Sequence, residues 1–152
     1  MAQKLLALRI PELQTVEEEL YKTIADSDGL TKDICLYALQ AGGKRIRPTL
    51  VLLASKCFSR EQVPLKAIPI AVAAELIHLA SLIHDDIIDG ADSRHGKLSV
   101  NSRWGNKIAV LAGDTLFAKA FEILSRYGLY DVLELMVEAI KDMCSGEIEQ
   151  AM

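Results

Sequence analysis

The feature that most constrains this sequence is the long apolar segment from Leu65 to Asp89, which is dominated by Ala, Leu and Ile. Pro69, Glu75 and two histidines interrupt it, whereas a membrane-spanning helix needs roughly 20 consecutive apolar residues. We therefore expect no stable insertion into a membrane. A water-soluble chain must bury such a segment among its other elements, so the sequence predicts a central core helix.

The flanking segments predict further helices around this core. Apolar residues recur at the spacing of a helix face across residues 13–25. Thr31 is expected to cap a second helix that stops at the glycines of 42–43, and Pro48 suits the first turn of a third helix. Two more helices are expected within residues 107–152, because the apolar periodicity resumes there.

Residues 90–106 differ from the rest of the chain, since they contain glycines and small polar or basic residues without a helical period. We interpret them as a long functional loop. No strand-like alternation appears elsewhere. The predicted fold class is therefore all-α, a bundle of long helices joined by short turns, and 152 residues fit one domain, residues 1–152.

Composition and charge limit the classes of function. The chain is 51% hydrophobic with a formal net charge of -4, and no extended basic surface is indicated, so we expect no nucleic-acid partner. Cys35, Cys57 and Cys144 form no CxxC pair, and we expect three reduced thiols packed as small apolar side chains. The N-terminal segment lacks the apolar core of a signal peptide, which favours a cytoplasmic protein.

Three aspartates, Asp85, Asp86 and Asp89, stand near the end of the apolar segment. Asp85 and Asp89 are four residues apart and share one helix face, where their charges repel each other. A merely solvated acidic end is the weaker interpretation, because the C-terminal end of a helix disfavours anions. Hard carboxylate oxygens suit Mg²⁺, so we predict a Mg²⁺ site at Asp85 and Asp89. Asp86 points about a quarter-turn away and is a less certain ligand.

A basic cluster precedes the apolar segment in the stretch GGKRIRP, residues 42–48. Lys44, Arg45 and Arg47 follow two glycines at the head of a predicted helix. Arginine forks and backbone N–H groups there can clamp a phosphate. The alternative is an ordinary basic turn at the surface, which this stretch alone would favour.

A second basic cluster, Arg94, His95 and Lys97, follows the aspartates directly. The alternative interpretation is a basic loop that faces solvent. A metal, a basic clamp and a second basic loop nevertheless describe a site for two phosphorylated groups, and the apolar helix beside them suits an apolar tail.

The order and spacing of four stretches resemble those of the trans-type isoprenyl diphosphate synthases. These stretches, which cover Ala41 to Gln150, are GGKRIRP, AAELIHLASLIHDDIID, SRHGKLSVNSRWGNKIAVLAGD and CSGEIEQ. Residues 85–89 resemble the first DDxxD motif of that family. The resemblance implies a long-helix bundle of the isoprenoid synthase type and a prenyltransferase with Mg²⁺ as cofactor. Such an enzyme condenses isopentenyl diphosphate with an allylic diphosphate by ionisation, condensation and elimination.

The resemblance also implies roles for single residues. Asp85 and Asp89, assisted by Asp86, would hold Mg²⁺ against the allylic diphosphate, which Arg94 would face. His95 stands where the family has a second arginine, so the chain departs from the pattern there. Without the motif, His78 would be interpreted as an ordinary core histidine. The substrate-binding residues implied are Lys44, Arg45, Arg47, His78, Arg94 and His95.

Two further expectations concern the product and the assembly. Ala80 and Ser81 are small and lie one turn before the first aspartate, which in the resembled family implies products of geranylgeranyl length or longer. Close helix packing would equally explain small residues there. The family also implies a homodimer, which apolar faces across 110–124 would permit.

The resembled family carries a second aspartate-rich motif and a Lys-Thr pair in a later half that this sequence lacks. No second DDxxD follows Asp89. The sequence thus resembles an N-terminal half, whether a fragment, a truncated form or a natural short form, and we expect it to be poorly active alone. A non-catalytic or regulatory subunit of a heteromeric synthase is one alternative. A class I terpene cyclase is another, which the second diphosphate clamp disfavours.

Overall fold

The computed structural model of the chain describes residues 10–58 and 64–152. It confirms the all-α class, with one small pair of strands in the described part. In chain order the elements are α1 (Glu12–Ala25), α2 (Gly29–Gln40), α3 (Ile46–Phe58), α4 (Ala67–Ile88), β1 (Ser93–Arg94), β2 (Lys97–Leu98), α5 (Val100–Trp104), α6 (Asn106–Arg126) and α7 (Tyr130–Gln150).

Helix α4 is the predicted core helix, and α1, α3 and α6 pack around it. Its closest neighbour is α6, because both helices bury alanines along the shared face, including Ala73 and Ala80 on α4 and Ala109 and Ala120 on α6. Small side chains let two helix backbones approach closely. By length and mean hydropathy α4 could cross a membrane. The polar residues that interrupt it therefore do not make it too polar for a membrane span, contrary to the expectation from the sequence. Its burial in the bundle accounts for its apolar character.

The start of α2 differs from the prediction. The helix begins at Gly29, and its N-cap residue is Asp28 rather than Thr31. Asp28 has the extended backbone conformation that N-cap residues usually adopt, although its side chain makes no capping hydrogen bond. The helix ends at Gln40, just before the glycines of 42–43, as predicted, and Pro48 lies in the first turn of α3.

Residues 90–106 form an ordered unit instead of an irregular loop. Strands β1 and β2 pair antiparallel, with Ser93 opposite Leu98. The two residues between them, His95 and Gly96, both have positive φ, 51° and 79°, as a tight hairpin turn requires. Ser99 then caps α5 by accepting a hydrogen bond from the backbone N–H of Ser102.

Helix α2 anchors this hairpin. The Tyr37 hydroxyl donates to the carbonyl oxygen of Leu98 at 2.7 Å, and Lys97 Nζ donates to the carbonyl oxygen of Gln40 at 2.8 Å. The guanidinium carbon of Arg103 lies 4.5 Å from the ring centre of Tyr37 and the same distance from that of Trp104. The side chains that follow the aspartates are therefore held at a fixed place beside α2.

Helix α7 packs against α6 and, within the described chain, buries none of its residues. Leu135 and Ile148 are among its exposed apolar side chains. The expectation of three packed thiols holds only for Cys35, which is buried, whereas Cys57 and Cys144 are exposed. The latter two lie on α3 and α7, where no other element among residues 10–58 and 64–152 buries them.

Candidate active site

The C-terminal turn of α4 carries the three aspartates in different surroundings. Asp85 is half-buried, Asp89 is the exposed C-cap residue, and Asp86 is buried. Burial and the carboxylate of Glu147 raise the pKa of Asp85, and Asp89 adds to this effect while Arg94 opposes it. Negative charge is therefore concentrated between the end of α4 and the end of α7.

Asp86 points into the protein and is bound by Arg94. Arg94 Nη2 lies 2.7 Å from Asp86 Oδ1, and Nε lies 3.0 and 3.1 Å from the two carboxylate oxygens. Such a forked pair is among the stronger charge-assisted hydrogen bonds. Asp86, which the sequence placed among the catalytic residues, is thus bonded to Arg94 and fixes the hairpin to α4.

A basic cavity of about 300 Å³ opens on one flank of α4. It lies between the turn of 42–47, the middle of α4 and the hairpin. All six residues predicted to bind substrate border it, namely Lys44, Arg45, Arg47, His78, Arg94 and His95. Sequence segments far apart in the chain therefore converge on one positively charged pocket, which can hold an anion.

His78 has the most perturbed titration in this cavity. Burial lowers its pKa to about 4, and the charges of Arg47, Arg94 and Arg45 act in the same direction. The imidazole is consequently neutral at physiological pH, with one nitrogen able to donate a hydrogen bond.

Arg45 differs from its neighbours Lys44 and Arg47. Arg45 also borders the cavity, but its guanidinium is buried and paired with Glu17 on α1 and Glu75 on α4. Lys44 and Arg47 are exposed. The guanidinium of Arg45 is therefore bound by two carboxylates within the protein.

An apolar cleft of about 310 Å³ opens on the other flank of α4, beneath Asp85. Phe117 of α6 and Met143 of α7 contribute to its walls, with Glu147 at its acidic rim. Ser81 lines this cleft and also a neighbouring cavity of about 200 Å³ that reaches His78. Ala80 is fully buried and lies in the contact with neighbouring helices instead.

His84 closes the cleft against α6. Its Nε2 lies 3.1 Å from the carbonyl oxygen of Val110, which can only accept, so this nitrogen carries the proton. The ring rests on Gly113, where an added Cβ would lie 2.2 Å from Nε2. The imidazole also packs against Phe117, with ring centres 5.8 Å apart. Gly113 is therefore required for the wall next to Asp85.

The sequence-based reasoning missed several of these side chains. Glu17 lies 28 residues from its partner Arg45, so no local pattern links them. Glu75 was visible as a carboxylate in an apolar segment, a signal of a buried ion pair. Glu147 belongs to the CSGEIEQ stretch, which was matched without a role for this residue. Gly113 carried no sequence signal for its contact with His84.

The carboxylates at the end of α4 fit a divalent cation that takes only part of its coordination shell from the protein. Among residues 10–58 and 64–152, no group of three or more His, Cys, Asp or Glu side chains is arranged to enclose a metal ion. Mg²⁺ commonly takes one or two carboxylates and completes its shell with water and substrate phosphates. Asp85 and Asp89 match that kind of site, and burial together with the neighbouring carboxylates raises the pKa of Asp85.

The helical bundle, with charged groups on both flanks of one core helix, defines an all-α chain of the isoprenoid synthase type. Solved structures agree. A polyprenyl synthase from Caulobacter crescentus, complexed with calcium and isoprenyl diphosphate, superposes with a TM-score of 0.90 at 31% identity over 100% of this chain and 46% of that one. Heptaprenyl diphosphate synthase from Staphylococcus aureus superposes with a TM-score of 0.82 at 39% identity over 92% of this chain and 44% of that one.

The chain belongs to the polyprenyl synthetase family, whose profile matches residues 28–152. Among curated relatives, heptaprenyl diphosphate synthase component 2 of Geobacillus stearothermophilus is 42% identical over 139 residues, which are 91% of this chain and 43% of that protein. The chain thus spans less than half the length of such relatives.

Proposed function

We propose that this chain carries the substrate-binding half of a prenyltransferase that joins isopentenyl diphosphate to an allylic diphosphate. The observation that carries the proposal is the arrangement of two pockets along α4, with a smaller cavity between them that shares His78 with one and Ser81 with the other. One is basic and the other is apolar with an acidic rim. Two diphosphates that differ in their tails need such a pair of pockets, one for each head group.

In this proposal the basic cavity takes isopentenyl diphosphate. Lys44 and Arg47 pair with the phosphate oxygens, and neutral His78 donates a hydrogen bond to one of them. His95 borders the same cavity in the place of the family's second arginine. Because its backbone occupies the left-handed position of the hairpin turn, the imidazole is presented at the cavity rim.

The allylic substrate lies on the other flank, with its apolar tail in the cleft between α4, α6 and α7. Asp85 and Asp89 would hold Mg²⁺, which would supply charge neutralisation for the departing diphosphate. Arg94 adds positive charge near the same carboxylates while it remains bonded to Asp86. The apolar side chains of the cleft would contact the apolar tail.

The reaction then needs no nucleophilic side chain. The bond from the allylic carbon to the diphosphate oxygen breaks, and both electrons leave with the diphosphate. The double bond of isopentenyl diphosphate attacks the resulting cation, and a proton leaves to restore a double bond, with the released diphosphate as its acceptor. Carboxylates and cations suffice, because the protein stabilises charge rather than forming a covalent bond.

The name of the Geobacillus relative, a component 2, supports a second candidate function for this chain. In it the chain is one subunit of a heteromeric synthase. The exposed apolar residues of α7 are available to a partner. The charged residues of both pockets favour a substrate-binding subunit over a purely structural one.

Calorimetric titration of the purified chain tests the binding sites separately. Isopentenyl diphosphate should bind without metal, and Lys44→Ala should weaken that binding about tenfold, the effect of one lost charge-assisted contact. Farnesyl diphosphate should need Mg²⁺ to bind, and Asp85→Asn should abolish the Mg²⁺-dependent part. Lys107→Ala and Asp131→Asn, at exposed positions outside both pockets, are the matched controls. If Lys44→Ala and Asp85→Asn each weakened the binding of both ligands equally, the result would contradict two separate pockets.

Product length of geranylgeranyl size or longer is part of this proposal, and the small Ser81 in the cleft supports it. We expect Ser81→Phe to shorten the cavity, so that affinity for geranylgeranyl diphosphate falls while that for dimethylallyl diphosphate is kept. Each buried CH₂ group is worth about 0.8 kcal/mol, so the loss should grow with each isoprene unit. If the affinities for the short and the long ligand fell equally, Ser81 would not line the part of the cleft that holds the tail.

A further inference from the structure

The guanidinium of Arg45 joins three helices inside the bundle. Its Nε and Nη2 lie 2.8 and 2.9 Å from the two carboxylate oxygens of Glu17 on α1. Its Nη1 lies 3.0 Å from Glu75 Oε1 on α4, and Nη2 also lies 3.4 Å from the carbonyl oxygen of Leu39 on α2. A charge buried to this degree, 7% exposed, is stable only because these partners satisfy it.

The backbone of Arg45 is equally constrained. Its φ is 50°, a left-handed conformation that side chains other than glycine rarely adopt. Its carbonyl oxygen accepts hydrogen bonds from the N–H of Thr49 at 3.1 Å and from the Thr49 hydroxyl at 2.7 Å. An unfavourable backbone conformation of this kind persists only where the surroundings fix it, and here both the side chain and the carbonyl do so.

Gly43 leaves room for this ion pair. An added Cβ would lie 3.1 Å from Arg45 Nη1 and 3.8 Å from Glu75 Oε1. The nearer distance is tighter than ordinary packing, so a side chain at this position would push against the guanidinium. The second glycine of GGKRIRP therefore leaves room for the buried ion pair.

We propose that Arg45 is a positioning residue, a buried clip between Glu17 and Glu75 that holds the turn of 42–47 so that Lys44 and Arg47 face the basic cavity. Because the side chain of Arg45 is fixed towards the interior, the side chains of Lys44 and Arg47 are held towards the cavity. This inference rests on the proposed function and deepens it. It gives Arg45 a structural role and leaves Lys44 and Arg47 as the residues that bind the ligand.

Glu17→Gln distinguishes a clip from a phosphate ligand, because Glu17 does not border the cavity. If Arg45 bound phosphate, removal of a competing carboxylate would free its charge, and isopentenyl diphosphate would bind as well as before or more tightly. If Arg45 is a clip, the turn loosens and affinity falls, on the order of tenfold for a lost charged hydrogen bond. Glu18→Gln makes the same charge change on an exposed neighbour and should leave affinity unchanged.

Amide hydrogen exchange of residues 42–47 provides a readout without ligand. Glu17→Gln should speed exchange in this turn while Glu18→Gln does not, and circular dichroism should show that both variants keep their helices. Equal exchange and equal affinity in the two variants would overturn the clip. Failure of the wild-type chain to bind isopentenyl diphosphate would instead count against the proposed function, and the exchange comparison would still decide the role of Arg45.

Discussion

Single residues at the end of α4 carry negative charge that lowers the stability of the free chain. Asp85 is half-buried, and burial together with the nearby carboxylates of Glu147 and Asp89 raises its pKa. An acid with a raised folded-state pKa destabilises the fold at any pH at which it is ionised. Functional sites commonly retain such unfavourable charge because the bound state relieves it.

Asp85→Asn should therefore stabilise the free chain at neutral pH while it removes metal-dependent binding. The expected gain is no more than about 1 kcal/mol, since solvent screens a half-exposed carboxylate. Urea unfolding at pH 7 without Mg²⁺ measures it. A lower midpoint for Asp85→Asn would show that this carboxylate supports the fold, contrary to the account.

His78 should give the chain an acid-sensitive stability. Its pKa is about 4 in the folded chain against an ordinary value of 6.5, so the unfolded chain binds more protons between these values. The stability from the neutral buried imidazole is complete above pH 6.5 and declines as pH falls towards 4. Because glutamine does not titrate, His78→Gln should lose less stability than the wild type between pH 7 and pH 5. The difference in the loss of unfolding free energy should be roughly 1 kcal/mol after solvent screening. Equal losses in the wild type and in His78→Gln would refute the role of His78.

At the scale of elements, α4 and α6 form the part of the bundle on which both pockets depend. Their buried alanines bring the backbones together, and Gly113 lets the His84 ring lie directly on α6. His84 directly precedes Asp85 in the chain, so the packing of His84 fixes the position of Asp85. Packing between these two helices thus has a direct effect on the candidate metal site.

Gly113→Ala should destabilise the chain by about 1–3 kcal/mol, the usual effect of an extra methyl group forced into a packed interface. The new Cβ would overlap His84, so the ring must move and lose its hydrogen bond to Val110. His84→Ala removes the obstacle, and the double variant should be no less stable than His84→Ala alone. Additive losses in this cycle would show that Gly113 acts independently of His84.

The sequence predicted the helices better than it predicted the hairpin and the direction of side chains. The spacing of Leu13, Val16 and Leu20 was sufficient for α1, because a helix face recurs over several turns. The paired strands contain two residues each, too few for any periodicity to appear. Arg45 was grouped with its neighbours because adjacency does not reveal a left-handed backbone, and its partner Glu17 is remote in sequence.

At the scale of the whole molecule, the two pockets share α4 as their common wall. Lys44 and Arg47 border one flank, and Asp85 with the apolar cleft borders the other. A protein that binds a single diphosphate, such as a terpene cyclase, needs no second charged pocket of this kind. The number of diphosphates that the chain holds at once is therefore the central claim of the account.

Simultaneous binding tests this claim most directly. The chain is saturated with Mg²⁺ and a non-ionising allylic thiodiphosphate and then titrated with isopentenyl diphosphate in a calorimeter. The account predicts one further equivalent per chain, with an affinity equal to or higher than that measured without the allylic analogue. Displacement of the analogue, with a single diphosphate bound per chain at saturation, would contradict it.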